Sequence, residues 1–577
     1  MRVHYPRTVH LPWSPGATAD DVRARNLAGL AGRRVVVTEK MDGENTTLYR
    51  DGLHARSLDS GHHPSRAWVK ALHSRIAAQI PEGWRISGEN LFAKHSIAYD
   101  KLDGYFYGFS VWDGDQCLDW TSTVEFFQNV GIPTPRVLWA GTFDEKLIQQ
   151  QVKLDLSRQE GYVVRTAEGF AYTEFADRVA KWVRPSHVQT DTHWMHAEVV
   201  PNKLGPKASF WSVRSGVDVG AQELAEALSI EKPTYDDRLA DAYARLDAAG
   251  CHGNARLVGA AGALLHQRRR ASVMADLAAS LEMPTVRRIA DVVGLAPRLH
   301  APIDDEYRRA GLARMAFGTD LAVLHAVAAA TARDAAAAEN VTWSSLFAED
   351  SGLLSVGSES SVSPVRALRL ACRDAFAELP PRAADRCWGE ARQMFAEGRI
   401  ASSEEATAAT WRWRNGAFPK LLHMVGVSGS GKSSTATALP GELISLDALR
   451  TARGSRADQS ANQEVLREGL GLLDEALARG ADVIWDATSL TRQQRGLVDG
   501  VARRRNALIE HLVHLAPESV LEERNASRAH PVPAKVLAAQ VRRFEPPYAG
   551  EAHRAVYADT AGEDAAYDVL GYSVWEG

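Results

Sequence analysis

The 577-residue chain is poor in cysteine. Its four cysteines, Cys117, Cys251, Cys372 and Cys387, stand singly, with no CxxC pair and no paired histidines at zinc spacing beside them. That argues against a disulfide framework or a cysteine-based zinc module and leaves reduced structural thiols. No run of about 18 apolar residues occurs, so neither a membrane span nor a membrane partner is expected. The opening MRVHYPRTVHLPWSPG lacks the apolar core of a signal peptide, and a cytoplasmic location is expected. Neither charge dominates, since 67 Lys and Arg face 72 Asp and Glu for a formal net charge of −5. This balance argues against a protein that coats nucleic acid, although an enzyme needs only a local basic groove.

What is present is length and changing texture. A chain of 577 residues exceeds what one hydrophobic core serves, and three or four domains are expected. Residues 1–207 are rich in β-branched and aromatic runs such as RVVVTEK, YFYGFSVWDG and GYVVRT, which read as strands with short connections. Residues 208–350 turn to Ala, Leu and Arg with helical periodicity. A Gly/Ser-rich stretch over 351–364 reads as a linker, 365–415 as a further helical segment, and 416–577 as alternating strand and helix. The expected fold class is multidomain α/β: an N-terminal α+β domain, a helical middle, and a C-terminal parallel α/β domain. No internal repeat is visible.

In the N-terminal part, the strand VVVTEK runs into Lys40-Met41-Asp42-Gly43. Arg56-Ser57, Gly88-Glu89-Asn90, the aromatic strand Phe106 to Trp112, Glu160-Gly161 before YVVR, and Lys181-Trp182-Val183-Arg184 follow in order. A lone KxDG is a common surface turn, but KxDG followed by five further elements in order is not. This series resembles the motifs of the covalent nucleotidyltransferases, the polynucleotide ligases and RNA capping enzymes. Over roughly residues 1–205 it is most similar to the ATP-dependent RNA ligase family. HLPWSPG followed by Asp20-Asp21, and HVQTDTHW at 187–194, also resemble bacterial and phage members.

The resemblance implies an adenylylation site. Lys40 is the expected nucleophile on the α-phosphate of ATP, and it must react neutral although an ordinary lysine has a pKa of roughly 10.4. A nearby cation or a partly dry pocket can depress that value. Glu39 would read the adenine edge, and Arg56 and Glu89 would hold the ribose and nearby phosphates. Phe109 would stack on the purine, and Asp42 and Gly43 complete the nucleotide-binding turn, with Gly43 allowing close backbone approach. Glu160 would bind Mg²⁺ or Mn²⁺, and Lys181 would contact the α-phosphate. Two positions depart from the family pattern. Val183 stands where a second lysine is usual, with Arg184 beside it as a candidate substrate contact, and Ser110 stands where aspartate is common.

The C-terminal part begins KLLHMVGVSGSGKSS. Gly426 to Ser433 satisfies GxxxxGK(S/T) between an apolar strand and a helix-compatible segment, which reads as a P-loop for ATP or another NTP. Its Gly426, Ser428, Gly429, Ser430, Gly431 and Ser434 would cradle phosphates with Lys432, while Ser433 would ligate Mg²⁺. Asp447 and Arg450 form a DxxR after the next strand, a pattern that resembles phage-type polynucleotide 5′-kinases. There the aspartate takes the proton of the 5′-hydroxyl and the arginine binds the acceptor's phosphate. A helix N-cap is the alternative role for Asp447. Asp486 is placed as a metal-associated carboxylate, and Arg524 and Arg528, one helical turn apart, resemble lid arginines over the ATP phosphates. Small-metabolite kinases share this fold, and the DxxR match favours a polynucleotide acceptor.

The middle resembles no nameable family. It carries no adjacent His-Asp pair, and its Arg268-Arg269-Arg270 run reads as a solvated helix face or a phosphate contact. Neither a DxDGT phosphatase motif nor paired HxT motifs occur. The order ligase then kinase is similar to fungal and plant tRNA ligases without their cyclic phosphodiesterase. The sequence thus reads as an end-healing and sealing enzyme acting on RNA with 5′-hydroxyl or 5′-phosphate and 3′-hydroxyl ends, with 3′ healing left to a separate partner or unnecessary. The alternatives are a ligase head fused to a metabolite kinase, and a catalytically weakened RNA-binding sensor.

Overall fold

The computed structural model describes residues 2–19, 21–58, 62–185, 199–230, 238–303, 305–354, 363–454, 462–528, 531–559 and 568–572. Asp20, HVQTDTHW and most of the expected linker lie outside them. The chain forms two compact units: Met1–Ala227 with His252–Leu257, and Leu228–Cys251 with Val258–Gly577.

The first unit carries β1 (Val9–His10), β2 (Arg34–Lys40), β3 (Glu44–Tyr49), β4 (Gly52–Ala55), β5 (Trp84–Asn90), β6 (Phe106–Asp113), β7 (Gln116–Cys117), β8 (Val137–Thr142), β9 (Gly161–Thr166), β10 (Phe170–Ala171) and β11 (Val179–Val183). They build two sheets, ordered β1-β11-β9-β2-β8 and β10-β7-β6-β5-β3-β4. Val35, Val36 and Val37 are all buried, so β2 does not alternate. It is covered on both faces, as a continuous apolar run predicts. The second sheet packs Leu48, Ile86, Phe106 and Val111 against Val69, Leu72 and Ile76 of the helix Ala67–Ile76, and against Phe127 and Val130 of the helix Trp120–Val130. The latter helix starts where the Asp119 side chain accepts from the Ser122 amide at 2.9 Å and stops at left-handed Gly131. Phe127 is fully buried, and truncating it to Ala should cost about 3–5 kcal/mol.

The second unit contains a six-stranded sheet, ordered β13-β14-β12-β15-β16-β17. Its strands are β12 (Lys420–Val425), β13 (Glu442–Ser445), β14 (Val483–Asp486), β15 (Leu508–His514), β16 (Arg554–Asp559) and β17 (Asp568–Tyr572). All pairings are parallel except β16 with β17. Leu421, Trp485 and Ile509 pack on one face with Val498 and Leu473, while Leu422, Ile484 and Leu512 pack on the other with Ala436. A parallel sheet covered on both faces explains the unbroken apolar run of LLHMV.

Helices including Met283–Leu295, Leu321–Ala330, Pro364–Ala375 and Pro381–Ala396 belong to the same unit. Here the arginine run departs in part from expectation. Arg270 is buried, ion-paired with Asp291 at 2.6 Å, and donates to the Pro547 carbonyl at 2.9 Å. Arg269 donates to the Val541 carbonyl at 2.8 Å, and Arg268 pairs with Asp276 at 2.9 Å. Arg268 and Arg269 stay exposed, as a solvated face predicts, and it is the buried Arg270 that departs from it, because the irregular Pro546-Pro547 backbone leaves carbonyls that a guanidinium fork can satisfy.

Candidate active sites

Lys40 is the last residue of β2 and pairs in register with Gly161, so the strand delivers it beside Glu160. The ammonium donates to Glu160 Oε2 at 2.5 Å, and Glu160 is buried. A side chain on Gly161 would collide with the Trp182 carbonyl, which accounts for glycine after the glutamate. Glu89, on β5, accepts from the Gly43 amide at 3.2 Å. Asp42 Oδ2 accepts from the Ile97 amide at 2.8 Å, and the Asp42 amide donates to the Tyr99 hydroxyl at 2.9 Å. Gly43 needs no left-handed φ. The close approach it permits is to the Asn90 carbonyl, 2.5 Å from where a Cβ would stand.

The electrostatics are those of crowded acids around one base. Burial pulls Lys40 down, but the charges of Glu160, Glu89 and Asp42 outweigh it and hold its pKa above the ordinary lysine value. The sequence-based expectation of a depressed lysine is therefore not met by these residues alone. Burial pushes Glu89 up to about 8, with Glu160 and Asp42 adding like-charge repulsion against the pull of Lys40. Burial lowers Lys181, and the neighbouring charge of Lys40 lowers it further. A divalent cation held at Glu160 would relieve the repulsion among these acids.

Phe109 sits at an irregularity in β6. Ser110 pairs with Ser87 and Gly108 with Gly88, leaving Phe109 as the extra residue of a bulge. Arg165 donates to its carbonyl at 3.1 Å, and the Tyr5 ring lies edge-on to its ring at 5.2 Å. Glu39 is half-buried, and burial raises its pKa against a hydrogen bond from Gln159. Arg56 is exposed, and its charge reaches Lys181. Arg184 donates from its side chain to the Leu156 carbonyl and from its amide to the Glu160 carbonyl at 3.0 Å. Val183 is a core residue, its amide donating to Ser14 Oγ at 2.9 Å, and Ser110 is buried beside Cys117.

In the second unit, β12 ends at Val425 and the loop reaches the helix Lys432–Ala438 through Gly426, Gly429 and Gly431, all at positive φ. At Gly429 a Cβ would also stand 3.1 Å from the Leu521 carbonyl. Lys432 is buried and donates to the Val427 carbonyl at 3.2 Å. Burial lowers its pKa to about 8, with Asp486 opposing that shift and Arg528 adding to it. Ser433 Oγ donates to Asp486 Oδ1 at 3.2 Å, and Ser445 Oγ to Asp486 Oδ2 at 3.2 Å. Ser430 is buried, while Ser434 is exposed in the helix's first turn. The Ser428 amide donates to Gln540 Oε1 at 3.0 Å.

Asp447 and Arg450 form an ion pair at 2.6 Å on the helix Leu446–Ala452, and Arg450 also donates to Asn462 at 3.0 Å. Ser445, not Asp447, caps that helix, so the capping alternative falls away. Arg524 lies on the helix Glu518–Ala526 and its charge reaches His514, whereas Arg528 follows the helix end and reaches Lys432. The two do not share a helical face, because the helix has ended between them.

Residues 33–183 match the RNA ligase family model. Residues 421–547 match the model of an AAA domain. The chain thus joins an RNA ligase-like domain to a P-loop domain. Solved structures of Naegleria gruberi RNA ligase are similar. The form with PPi is 19% identical, covering 32% of this chain and 61% of that one at a TM-score of 0.22. A lysine-to-alanine variant with ATP and Mn is 17% identical, with 32% and 61% covered at a TM-score of 0.21. An apo lysine-to-alanine variant is 18% identical, with 29% and 56% covered and the same score. The chain therefore spans less than two thirds of these ligases. Comparison with curated proteins finds no match.

Several site residues carry no sequence signal. In the ligase-like domain, His10 pairs in register with Lys181, and burial and the Lys181 charge lower its pKa to about 4. Tyr99 and Tyr5 belong to no motif. In the P-loop domain, Gln540 lies more than 100 positions from the loop it touches, since |i−j| is 112. Only tertiary pairing exposes such residues.

Proposed function

We propose that the chain phosphorylates 5′-hydroxyl RNA ends at the P-loop domain and seals 5′-phosphate to 3′-hydroxyl ends at the ligase-like domain. The boundaries proposed for these activities are 1–207 for adenylylation and 416–577 for the kinase, with helical segments at 208–350 and 365–415 and a linker at 351–364. The observation that carries the reading is Lys40 at a strand end, among Glu160, Glu89 and Asp42 and beside Lys181, within a segment that matches the RNA ligase model.

In the sealing half, Lys40 Nζ attacks the α-phosphorus of ATP, the N–P bond forms, and pyrophosphate leaves. Lys181 and Arg56 face the developing negative charge, and Glu39 and Phe109 orient the base. A divalent cation, Mg²⁺ or Mn²⁺, held by Glu160 would neutralise carboxylates that keep Lys40 protonated. AMP then passes to the RNA 5′-phosphate, and the 3′-hydroxyl displaces it. In the healing half, Lys432 and the loop amides hold the NTP phosphates. Ser433 and Asp486 are the residues that would hold Mg²⁺, Asp447 takes the 5′-hydroxyl proton, and Arg450 grips the acceptor phosphate. Arg524 and Arg528 approach from the lid side.

The test is incubation with ATP labelled at the α-phosphate, wild type beside Lys40→Ala. A labelled band lost in the variant supports the reading. An unlabelled wild type, after pyrophosphatase treatment to prevent reversal, overturns Lys40 as a nucleophile and leaves an RNA-binding sensor. Supplying the protein with 5′-hydroxyl RNA and with small metabolites separates a polynucleotide kinase from a metabolite kinase.

A further inference from the structure

Behind the P-loop lies a polar trio in an otherwise apolar layer. His423 of β12 and His511 of β15 are register partners on adjacent parallel strands, so their side chains share a face of the sheet. Asp499 comes from the helix Arg492–Arg504 that covers that face. His423 and His511 are fully buried and Asp499 is 3% exposed. Leu421, Ile509, Val498 and Ala502, from the same strands and helix, belong to the surrounding core cluster.

The contacts are specific. His423 Nδ1 and Asp499 Oδ1 are 2.9 Å apart, as are His511 Nε2 and Asp499 Oδ2. The donor atoms of the three residues all lie within 4.8 Å of one another. The remote nitrogen of His423 meets Ser489 Oγ at 2.7 Å. Ser489 is a non-glycine residue at a φ of 47°, and its carbonyl accepts from Arg495 at 3.2 Å. An imidazole whose far nitrogen is fixed by a dedicated partner is the arrangement that orients metal-bound histidines. Charge points the same way. A buried carboxylate needs a counter-charge, and Arg495, one turn earlier on the helix, is ion-paired with Glu551 at 2.8 Å.

We propose that His423, Asp499 and His511 form a buried three-ligand site for a transition-metal dication of the zinc class, with a water in the fourth position, distinct from the magnesium position proposed at Ser433 and Asp486. Two imidazole nitrogens with a carboxylate suit zinc, whereas magnesium prefers oxygen donors alone. The site joins β12, whose end feeds the P-loop, to β15 and to the covering helix. Its role is to brace the nucleotide-binding strand.

The experiment uses the full chain, purified without a metal-affinity step, stripped by a chelator, supplied with Zn²⁺ and desalted. Elemental mass spectrometry should count about one zinc per chain. Co²⁺ in its place should give tetrahedral d–d bands without the sulfur charge-transfer band of a cysteine ligand. Asp499→Asn, close to isosteric, should lose the retained metal and lower the thermal midpoint. A folded wild type that retains no zinc, a thiolate band with cobalt, or full retention in a folded Asp499→Asn would each overturn the proposal. The first outcome would mean that a proton shared with the histidines balances Asp499. Should Asp499→Asn fail to fold, the wild-type stoichiometry and cobalt spectrum decide alone.

Discussion

At the scale of single residues, the N-terminal site turns on what strand alternation does with Val183. Lys181 faces Lys40, and two residues on, the same side of β11 carries Val183 into the core, 5% exposed, with its backbone anchored to Ser14. The position that the family pattern would fill with a second lysine is here a packing position. Val183→Lys should therefore destabilise the first unit by about 2 kcal/mol or more without raising adenylylation. Thermal denaturation read beside lysyl-AMP yield checks this, and a stable, faster variant would show that the site has room for the missing lysine. The departure was visible in the sequence, but its consequence was not, because burial of one strand position depends on what the opposite layer supplies. The ordered motifs were legible for the opposite reason. Lys40, Glu89 and Glu160 lie at strand ends or on short strand segments, so their order along the chain survives folding, while Tyr99 and His10 arrive from segments with no pattern of their own.

Among elements, the strand–loop–helix of the P-loop was readable because its chemistry is local: three positive-φ glycines, a lysine and a serine within eight residues. The arginine run of the helical middle was not, because sequence alone cannot say whether a basic face meets water or carbonyls. The carbonyls that Arg270 meets are about 276 positions away, at Pro546 and Pro547. Arg270 also shares the buried Asp291 with Arg287, which lies 3.1 Å from the other carboxylate oxygen. Arg270→Ala removes one cation of this three-membered cluster and strands carbonyls at the seam, and should cost about 3–5 kcal/mol. Chemical denaturation of the full chain should show the loss in the transition of the second unit, with the first unit's transition unmoved. An unchanged second transition would mean that Arg287 alone neutralises Asp291. A milder change at another element contact is Gln540→Ala. It frees the Ser428 amide and should raise the KM for NTP several-fold with kcat nearly constant, because a loop-ordering contact acts on binding before chemistry.

For the whole molecule, the two activities proposed for one chain imply a division of labour that single substitutions can expose. Asp447→Ala should abolish 5′ phosphorylation yet leave sealing of RNA that already carries a 5′-phosphate, and Lys40→Ala should do the reverse. On 5′-hydroxyl RNA both variants should fail to seal, and mixing them should restore sealing through the released phosphorylated end. Stability across pH is the second whole-molecule consequence. Burial and the Lys432 charge lower His514 to about 4, and burial lowers His553 to about 4 despite the Glu390 carboxylate. For His553 the reason is visible: Nδ1 accepts from the Ile509 amide at 2.9 Å, and Nε2 faces Glu390 at 3.2 Å. The neutral tautomer satisfies both nitrogens, whereas a second proton would break the backbone bond. The unfolded chain takes up protons near pH 6.5 and the folded one only near 4, so between those values the unfolded state binds more protons and stability rises with pH. The second unit should hold its full histidine contribution above about pH 6.5 and lose it as pH falls toward 4, at up to about 1.4 kcal/mol per pH unit for each group. Denaturation of wild type and His553→Gln from pH 7.5 to 4.5 tests the sign. The variant starts less stable but should lose stability less steeply, since glutamine has no proton to gain, and equal slopes would mean that His553 is already protonated in the folded chain.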